Sequence, residues 1–294
     1  MATAAVQHAP GNTVDQVIEP LAQENKLAKH DVVTELNYYN DPGDGSLPAP
    51  VYVGQTNVER PHAAHKIVIH DISGDEDKYT LDSHGFQFVK HESKEKDFLD
   101  NEKIKAEYYP EVEQLLKDFT GASRVFIFDH TIRRAPTDSR SGPTVQRGPG
   151  KRVHIDQSYR ASEARVKYHL PDEADELLKN RFQIINVWRP IKTILRDPLS
   201  LADAHSVPDS DLVPAALIYP DREGETYAVK FNPSHKWYFK YAQRPDEPLF
   251  IKCYDSVDDG RPRRIPHSAF SNPAHDDEPP RESIEVRTLV FYDY

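Results

Sequence analysis

The sequence predicts a mainly β fold with flanking helices, a jelly roll or related double-sheet barrel. Short apolar or alternating runs recur along the chain and are broken by Pro, Gly and Asp clusters. Only two long stretches, Asp100 to Gly121 and Ser162 to Arg181, read as well-developed helices. The length of 294 residues suits one large β domain, so residues 1–294 are expected to form a single unit.

Taken in order, residues 1–30 are polar and Ala/Gln-rich, with an amphipathic stretch from Val14 to Leu27, and are expected to be an N-terminal arm or lid. From Val32 to Val53, β-type runs flank Asn40-Asp-Pro-Gly-Asp-Gly45, a dense turn signal. Lys66 to Asp71 alternates as a strand, and Gly85 to Val89 offers another. In the helix from Asp100 to Gly121, Ile104, Tyr108, Val112, Leu115, Leu116 and Phe119 share a face, with Asp100 or Asn101 as N-cap and Gly121 as the C-terminal glycine. Arg124 to Asp129 reads as a buried strand. Residues 135–150, rich in Pro, Gly, Ser, Thr and Arg, read as a loop ahead of His154 and a candidate active-site lid. After the second helix come strands at Phe182 to Trp188, Leu212 to Tyr219, Thr226 to Phe231, Leu249 to Tyr254, Ile265 to Ala269 and Ser283 to Tyr292.

Charge narrows the partners. The formal net charge is −11 and no long Lys/Arg run occurs, which argues against nucleic acid. Cys253 is the single cysteine, so a disulfide framework or a Cys-rich metal site is excluded. The N-terminus lacks a charged and apolar leader pattern, and no run approaches the ~20 apolar residues of a membrane span. A cytoplasmic protein acting on a small molecule, with no membrane partner, is the expectation; the oligomeric state is not legible.

The chemistry concentrates at His154-Ile155-Asp156, followed 111 positions after the aspartate by His267. In a strand, residues two apart face the same side, so His154 and Asp156 can both enter the interior while Ile155 packs outward. A late-strand His267 completes two imidazoles and one carboxylate, the set that holds Fe(II) while leaving positions open for a cosubstrate and O2. His235, His205 and His275 are rival third ligands. Near the end, Arg281, Ser283, Glu285 and Arg287 alternate with Ile284 and Val286. A guanidinium with a hydroxyl two residues away suits the distal carboxylate of 2-oxoglutarate, which favours Arg281 with Ser283 and leaves Arg287 as the alternative.

At this point the chain resembles the fungal hydroxylase/desaturase family that includes gibberellin desaturases, with distant bacterial relatives linked to cephamycin methoxylation. The resemblance covers most of the chain. It rests on Tyr38-Tyr39 with Asp44-Gly-Ser46, Asp82-x-x-Gly85-Phe86, Val153-His-Ile-Asp-Gln-Ser158, Asn186-Val-Trp-Arg-Pro190, Asp197-Pro-Leu199 with Asp203, Asn232-Pro with His235 and Trp237, Lys252-x-x-Asp255-Ser256, Pro266-His267 with Phe270, and Arg281-Glu-Ser-Ile-Glu-Val-Arg287. It implies a double-stranded β-helix (jelly-roll) barrel, Fe(II)/2-oxoglutarate chemistry with O2, and a triad of His154, Asp156 and His267. It also implies oxidation of a secondary metabolite by hydroxylation, desaturation or ring formation, without specifying the substrate.

Asn186, Trp188 and Arg189 are expected substrate contacts, with Arg189 a candidate for an acidic group. Arg133 and Arg134 are further anion candidates, and Tyr159 a candidate gate. Two other classes remain open: a non-catalytic jelly-roll accessory or binding subunit, and a zinc hydrolase on the same ligands.

Overall fold

The computed structural model describes residues 29–54, 60–135 and 147–293. The expected arm or lid at 1–30 falls outside them except for Lys29 and His30, and so does most of the expected loop at 135–150. Fourteen strands among the described residues form two sheets. One sheet has nine strands: β1 (Val32–Tyr39), β2 (Val51–Tyr52), β3 (His62–Asp71), β6 (His154–Ile155), β8 (Leu199–Ala202), β9 (Leu212–Ile218), β10 (Glu223–Val229), β11 (Trp237–Phe239) and β13 (His267–Ala269). Its spatial order is β1-β3-β11-β8-β13-β6-β10-β9-β2. The other has five, ordered β4 (Phe86–Phe88), β12 (Leu249–Asp255), β7 (Phe182–Pro190), β14 (Ser283–Phe291) and β5 (Arg124–Arg133).

The sheets face one another across an apolar layer in which Ile184, Trp188, Ile251 and Leu289 of the small sheet meet Leu199 and Leu201 of the large one. This is the expected jelly roll, with one difference: the sheets share no strand, so the architecture is a two-sheet sandwich and not a closed barrel. Strand parity sets what each side chain meets. On β7 and β14, Ile185, Val187, Ile284, Val286 and Val290 point away from the sandwich, onto Val112, Leu115 and Leu116 of the helix Tyr109–Thr120.

That helix ends as expected at Gly121, whose φ of 71° is the left-handed conformation that closes a helix. Its N-terminal part differs, being a short α turn at Asn101–Lys103 capped by Asp100 and a π-helical turn at Ile104–Tyr108. The second helix is corrected more substantially. It spans Tyr159–His169 and stops before Pro171, and a separate turn follows at Ala174–Leu177. Ser158 accepts a hydrogen bond from the Ala161 N–H and starts the helix earlier than expected, while Pro171 cannot donate within it and disfavours helical backbone before it. The short strands β8 and β11 escaped the sequence pattern.

Two buried features near the sheet edge carry stability. Gly85 has φ of 89°, and a Cβ there would meet Ile265 Cγ2 at 2.2 Å. Gly85→Ala is expected to destabilise the protein by roughly 2–5 kcal/mol, combining left-handed strain with overpacking, read as a lowered urea midpoint. Below it, the fully buried Asp255 carboxylate accepts from Arg181 Nε at 3.1 Å, Arg181 Nη2 at 2.7 Å, Lys252 Nζ at 2.9 Å and Gln183 Nε2 at 2.7 Å. Burial opposes its ionisation, but Arg181 and Lys252 outweigh it and hold its pKa below the ordinary value. A depressed folded pKa stabilises the fold above the unfolded value of about 4 and loses that contribution as pH falls through the folded pKa. Asp255→Asn is therefore expected to cost roughly 3–5 kcal/mol at neutral pH, because it leaves buried Lys252 underpaired. Urea unfolding between pH 2 and pH 7 should also show a shallower acid limb in the variant.

Candidate active site

His154, Asp156 and His267 converge. One ligand atom from each lies within 4.8 Å of the others, and among the described residues no other His/Cys/Asp/Glu group does this. The strand β6 is only two residues long, so Asp156 stands just past its end. Its neighbours are β10, which pairs Ala228 with His154, and β13, where His267 lies opposite His154. The distances from Asp156 Oδ1 are 3.3 Å to His154 Nε2 and 3.9 Å to His267 Nε2. Donors on one metal at ~2.1 Å sit about 3 Å apart, so little closure is needed.

The surroundings fix protonation in favour of a cation. The Arg152 carbonyl can only accept, so His154 Nδ1 donates to it at 2.7 Å and the ring presents Nε2 to the cluster. Asn186 Nδ2 donates to Asp156 Oδ2 at 2.7 Å, leaving Oδ1 for the site. Burial opposes ionisation of Asp156, yet His154, His267 and Arg287 hold its carboxyl well below the ordinary range. His267 is pushed down to about 3, first by burial and then by His154. At neutral pH the set contains a carboxylate and a neutral buried imidazole, which are the ligand forms of these groups.

Beside this cluster, Arg281 is 4% exposed and stacks over Trp188 at 5.5 Å. Its Nη1 donates to the Asp197 carbonyl at 2.8 Å, and its buried Nε has no partner. Burial, reinforced by Arg133, pulls its pKa down to about 9. Ser283, two residues on, is also buried and pairs across β14 with Arg133 and Pro190. A buried guanidinium with an unpartnered Nε, near enough to the cavity to feel Arg133, fits the carboxylate end of a 2-oxo acid. Arg287 is different: it donates to Asp129 Oδ1 at 2.6 Å, Thr131 Oγ1 at 2.7 Å and Glu285 Oε1 at 3.1 Å. Each of its three nitrogens thus has a partner within the protein, and Nη1 also stands 3.8 Å from Asp156 Oδ2. Glu285, half-buried beside Arg287, has its pKa raised by desolvation and by Asp156.

A cavity of about 670 Å³ opens on His154 and Asp156. Arg133 lines it and donates to the Gly148 carbonyl at 2.6 Å. Arg147, Pro149 and Gly150, the described end of the expected loop, also line it. The other expected substrate contacts stand elsewhere. Asn186 is behind Asp156, and Trp188 is in the core beneath Arg281. Arg189 falls on the opposite face of β7, where it donates to Tyr108 Oη and to the His91 and Pro245 carbonyls. Parity explains the split, since 186 and 188 share a face and 189 takes the other. Tyr159 donates to Asp209 and lies under Arg263 at 4.4 Å, away from the cavity wall, and Arg134 pairs with Glu282 at 3.2 Å. His235 and His275 are engaged by Asp211 with Tyr38 and by Tyr241, while His205 sits in the turn Ala204–Ser206. Sequence reasoning missed Arg60, Arg152, Tyr219 and Thr226, which line the cavity from segments with no motif of their own.

Comparison with known proteins agrees with this geometry. Residues 36–291 match the family model described as an oxidoreductase/YMDC permease-like domain. The chain is 39% identical to the hydroxylase/desaturase efuI of Hormonema carpetanum over 285 residues, covering 89% of this chain and 95% of the relative. It is 38% identical to the alpha-ketoglutarate-dependent dioxygenase phiK of a fungal species, covering 87% and 95%. A variant of the iron and alpha-ketoglutarate-dependent endoperoxidase NvfI superimposes with a TM-score of 0.80 at 29% identity, covering 90% of this chain and 98% of that one. The protein is thus an enzyme that uses Fe(II), 2-oxoglutarate and O2, and the accessory-subunit and zinc-hydrolase alternatives find no counterpart among these relatives. The chain belongs to the fungal hydroxylase/desaturase family of Fe(II)/2-oxoglutarate-dependent dioxygenases.

Proposed function

We propose that residues 1–294 act as one oxygenase domain in which His154, Asp156 and His267 hold Fe(II), and Arg281 with Ser283 receives the distal carboxylate of 2-oxoglutarate. The substrate is a small molecule of secondary metabolism, oxidised at an unactivated C–H by hydroxylation, desaturation or ring closure. The convergence of three donor atoms within 4.8 Å carries this reading.

Bound iron, 2-oxoglutarate and O2 supply the oxidising power, with succinate and CO2 as coproducts. The residues contribute position and exclusion of water. Asp156 arrives ionised and His267 neutral, so metal entry displaces no proton from either. Asn186 and the Arg152 carbonyl fix the orientation of two ligands from behind. Trp188 supports the guanidinium plane of Arg281, and the buried β14 face keeps water from competing for it. The proposal includes a cytoplasmic setting, supported by free, buried Cys253. No helix of the described residues is long and apolar enough to cross a membrane.

The direct test is anaerobic reconstitution with Fe(II) followed by 2-oxoglutarate, recording the visible charge-transfer absorption. A band that appears with both components supports the assignment. Stoichiometric iron without a band overturns the cosubstrate site.

A further inference from the structure

In a chain of net charge −11, the cavity beside the triad is rich in arginine, with Arg60, Arg152, Arg165 and Arg222 on its wall. The acidic groups that share the wall are already engaged. Asp129 holds Arg287 at 2.6 Å, Glu225 holds Arg160 at 2.7 Å, and Asp156 belongs to the triad. Arg165 and Arg222 lie over aromatic rings, Phe128 at 5.1 Å and Tyr219 at 3.6 Å, contacts that orient a guanidinium without neutralising it.

Arg60 stands out among them. Its Nη1 donates to Thr226 Oγ1 at 3.2 Å and its Nη2 to the Ala216 carbonyl at 3.4 Å, both neutral acceptors. Among the described residues it forms no ion pair, and its buried Nε has no partner. Burial lowers its pKa to about 10, and Arg152 repels it, so it is charged at neutral pH with no counterion among the described residues. Its position is set by register. Strand β10 pairs Ala228 with His154 and Tyr227 with Ile155, so Thr226 is the next position, across from Asp156. Thr226 and Ala228 are two apart and share the face that His154 presents to the cavity. Thr226 therefore lies one strand, roughly 5 Å, to the side of the ligand row, and Arg60 reaches it and the Ala216 carbonyl of β9 beyond.

On the C–H oxidation reading above, we propose that the substrate carries a carboxylate and that Arg60, seated on Thr226, receives it. A carboxylate matches a single guanidinium in charge and in planar shape. Held there, it fixes one end of the substrate at the wall and directs the rest across the mouth of the triad.

The test uses two probes of one shape, 1-naphthoate and the neutral 1-naphthamide, titrated calorimetrically into anaerobic Fe(II) enzyme saturated with 2-oxoglutarate. Saturation fills the cosubstrate site, so a second carboxylate has to find another. Wild type is expected to prefer naphthoate by about tenfold or more. Arg60→Gln should bring the ratio to near one, Arg60→Lys should keep much of it, and Thr226→Val, which removes an anchor without changing a charge, should reduce it. Equal binding of the two probes by wild type overturns the proposal, as does a preference that survives Arg60→Gln. If Arg60→Gln does not fold, Thr226→Val decides: an undiminished preference overturns the proposal. The charge-transfer band, recorded on each sample before the probe is added, reports the iron and 2-oxoglutarate site separately. Its absence tells against the metal assignment, while the naphthoate preference still decides the role of Arg60.

Discussion

Replacing His267 with alanine is expected to lower iron affinity by more than about 100-fold, since even the outer partners of metal ligands are worth 10- to 100-fold. The charge-transfer band and succinate production should fall with it. His267 is 4% exposed, and its side chain reaches the same small volume as His154 and Asp156. Alanine leaves two protein donors at the cluster. The substitution also opens a cavity in the three-residue strand β13. Iron titration must therefore be paired with thermal melting. Weak iron binding in a variant that still melts cooperatively isolates the ligand role, and wild-type iron affinity in that variant sinks the triad assignment.

Arg281→Gln is expected to weaken 2-oxoglutarate binding by roughly 10- to 150-fold, the equivalent of a charge-assisted hydrogen bond worth about 1.5–3 kcal/mol. Iron binding without cosubstrate should change little, because Arg281 touches the Asp197 carbonyl and Trp188 but none of the three ligands. The measurement is the 2-oxoglutarate dependence of the charge-transfer band. Arg287 offers the sharp comparison. Its guanidinium is held by Asp129, Thr131 and Glu285, so its loss should appear in stability before it appears in cosubstrate affinity. A large affinity loss confined to Arg287→Gln would reverse the assignment.

The contrast between these arginines shows what a sequence discloses. Their alternation on one strand face was legible from the i, i+2 rule, but their partners were not, because Asp129 and Thr131 come from a strand more than 150 residues earlier. The same rule separates Arg189 from Asn186 and Trp188, and proximity in sequence obscured it. His154 and Asp156 were readable because two ligands share one short segment, and His267 because a β-like stretch carries it late in the chain. Arg60 left no trace. Its setting is made by the β9–β10 hairpin, 156 and 166 residues away, and no local pattern encodes such an encounter. The jelly roll was legible from strand spacing, whereas the break at Pro171 shows that helical periodicity alone overruns a local stop.

The two-residue strand β6 has a mechanical meaning. It meets β13 through a single registered pair, His154 opposite His267, and this pair joins a five-strand leaf, β1 to β13, to a four-strand leaf, β6 to β2. The leaves are also tied on either side of that pair, by the Ala269 N–H donating to the Gly150 carbonyl at 2.9 Å and by the bridges of Asn37 to Arg152 and Tyr39 to Lys230, so the seam is short and braced. Both imidazoles belong to that seam, one on each leaf. Bracing on both sides holds the spacing of the two nitrogens, and an ion gripping both would add a further clamp between the leaves.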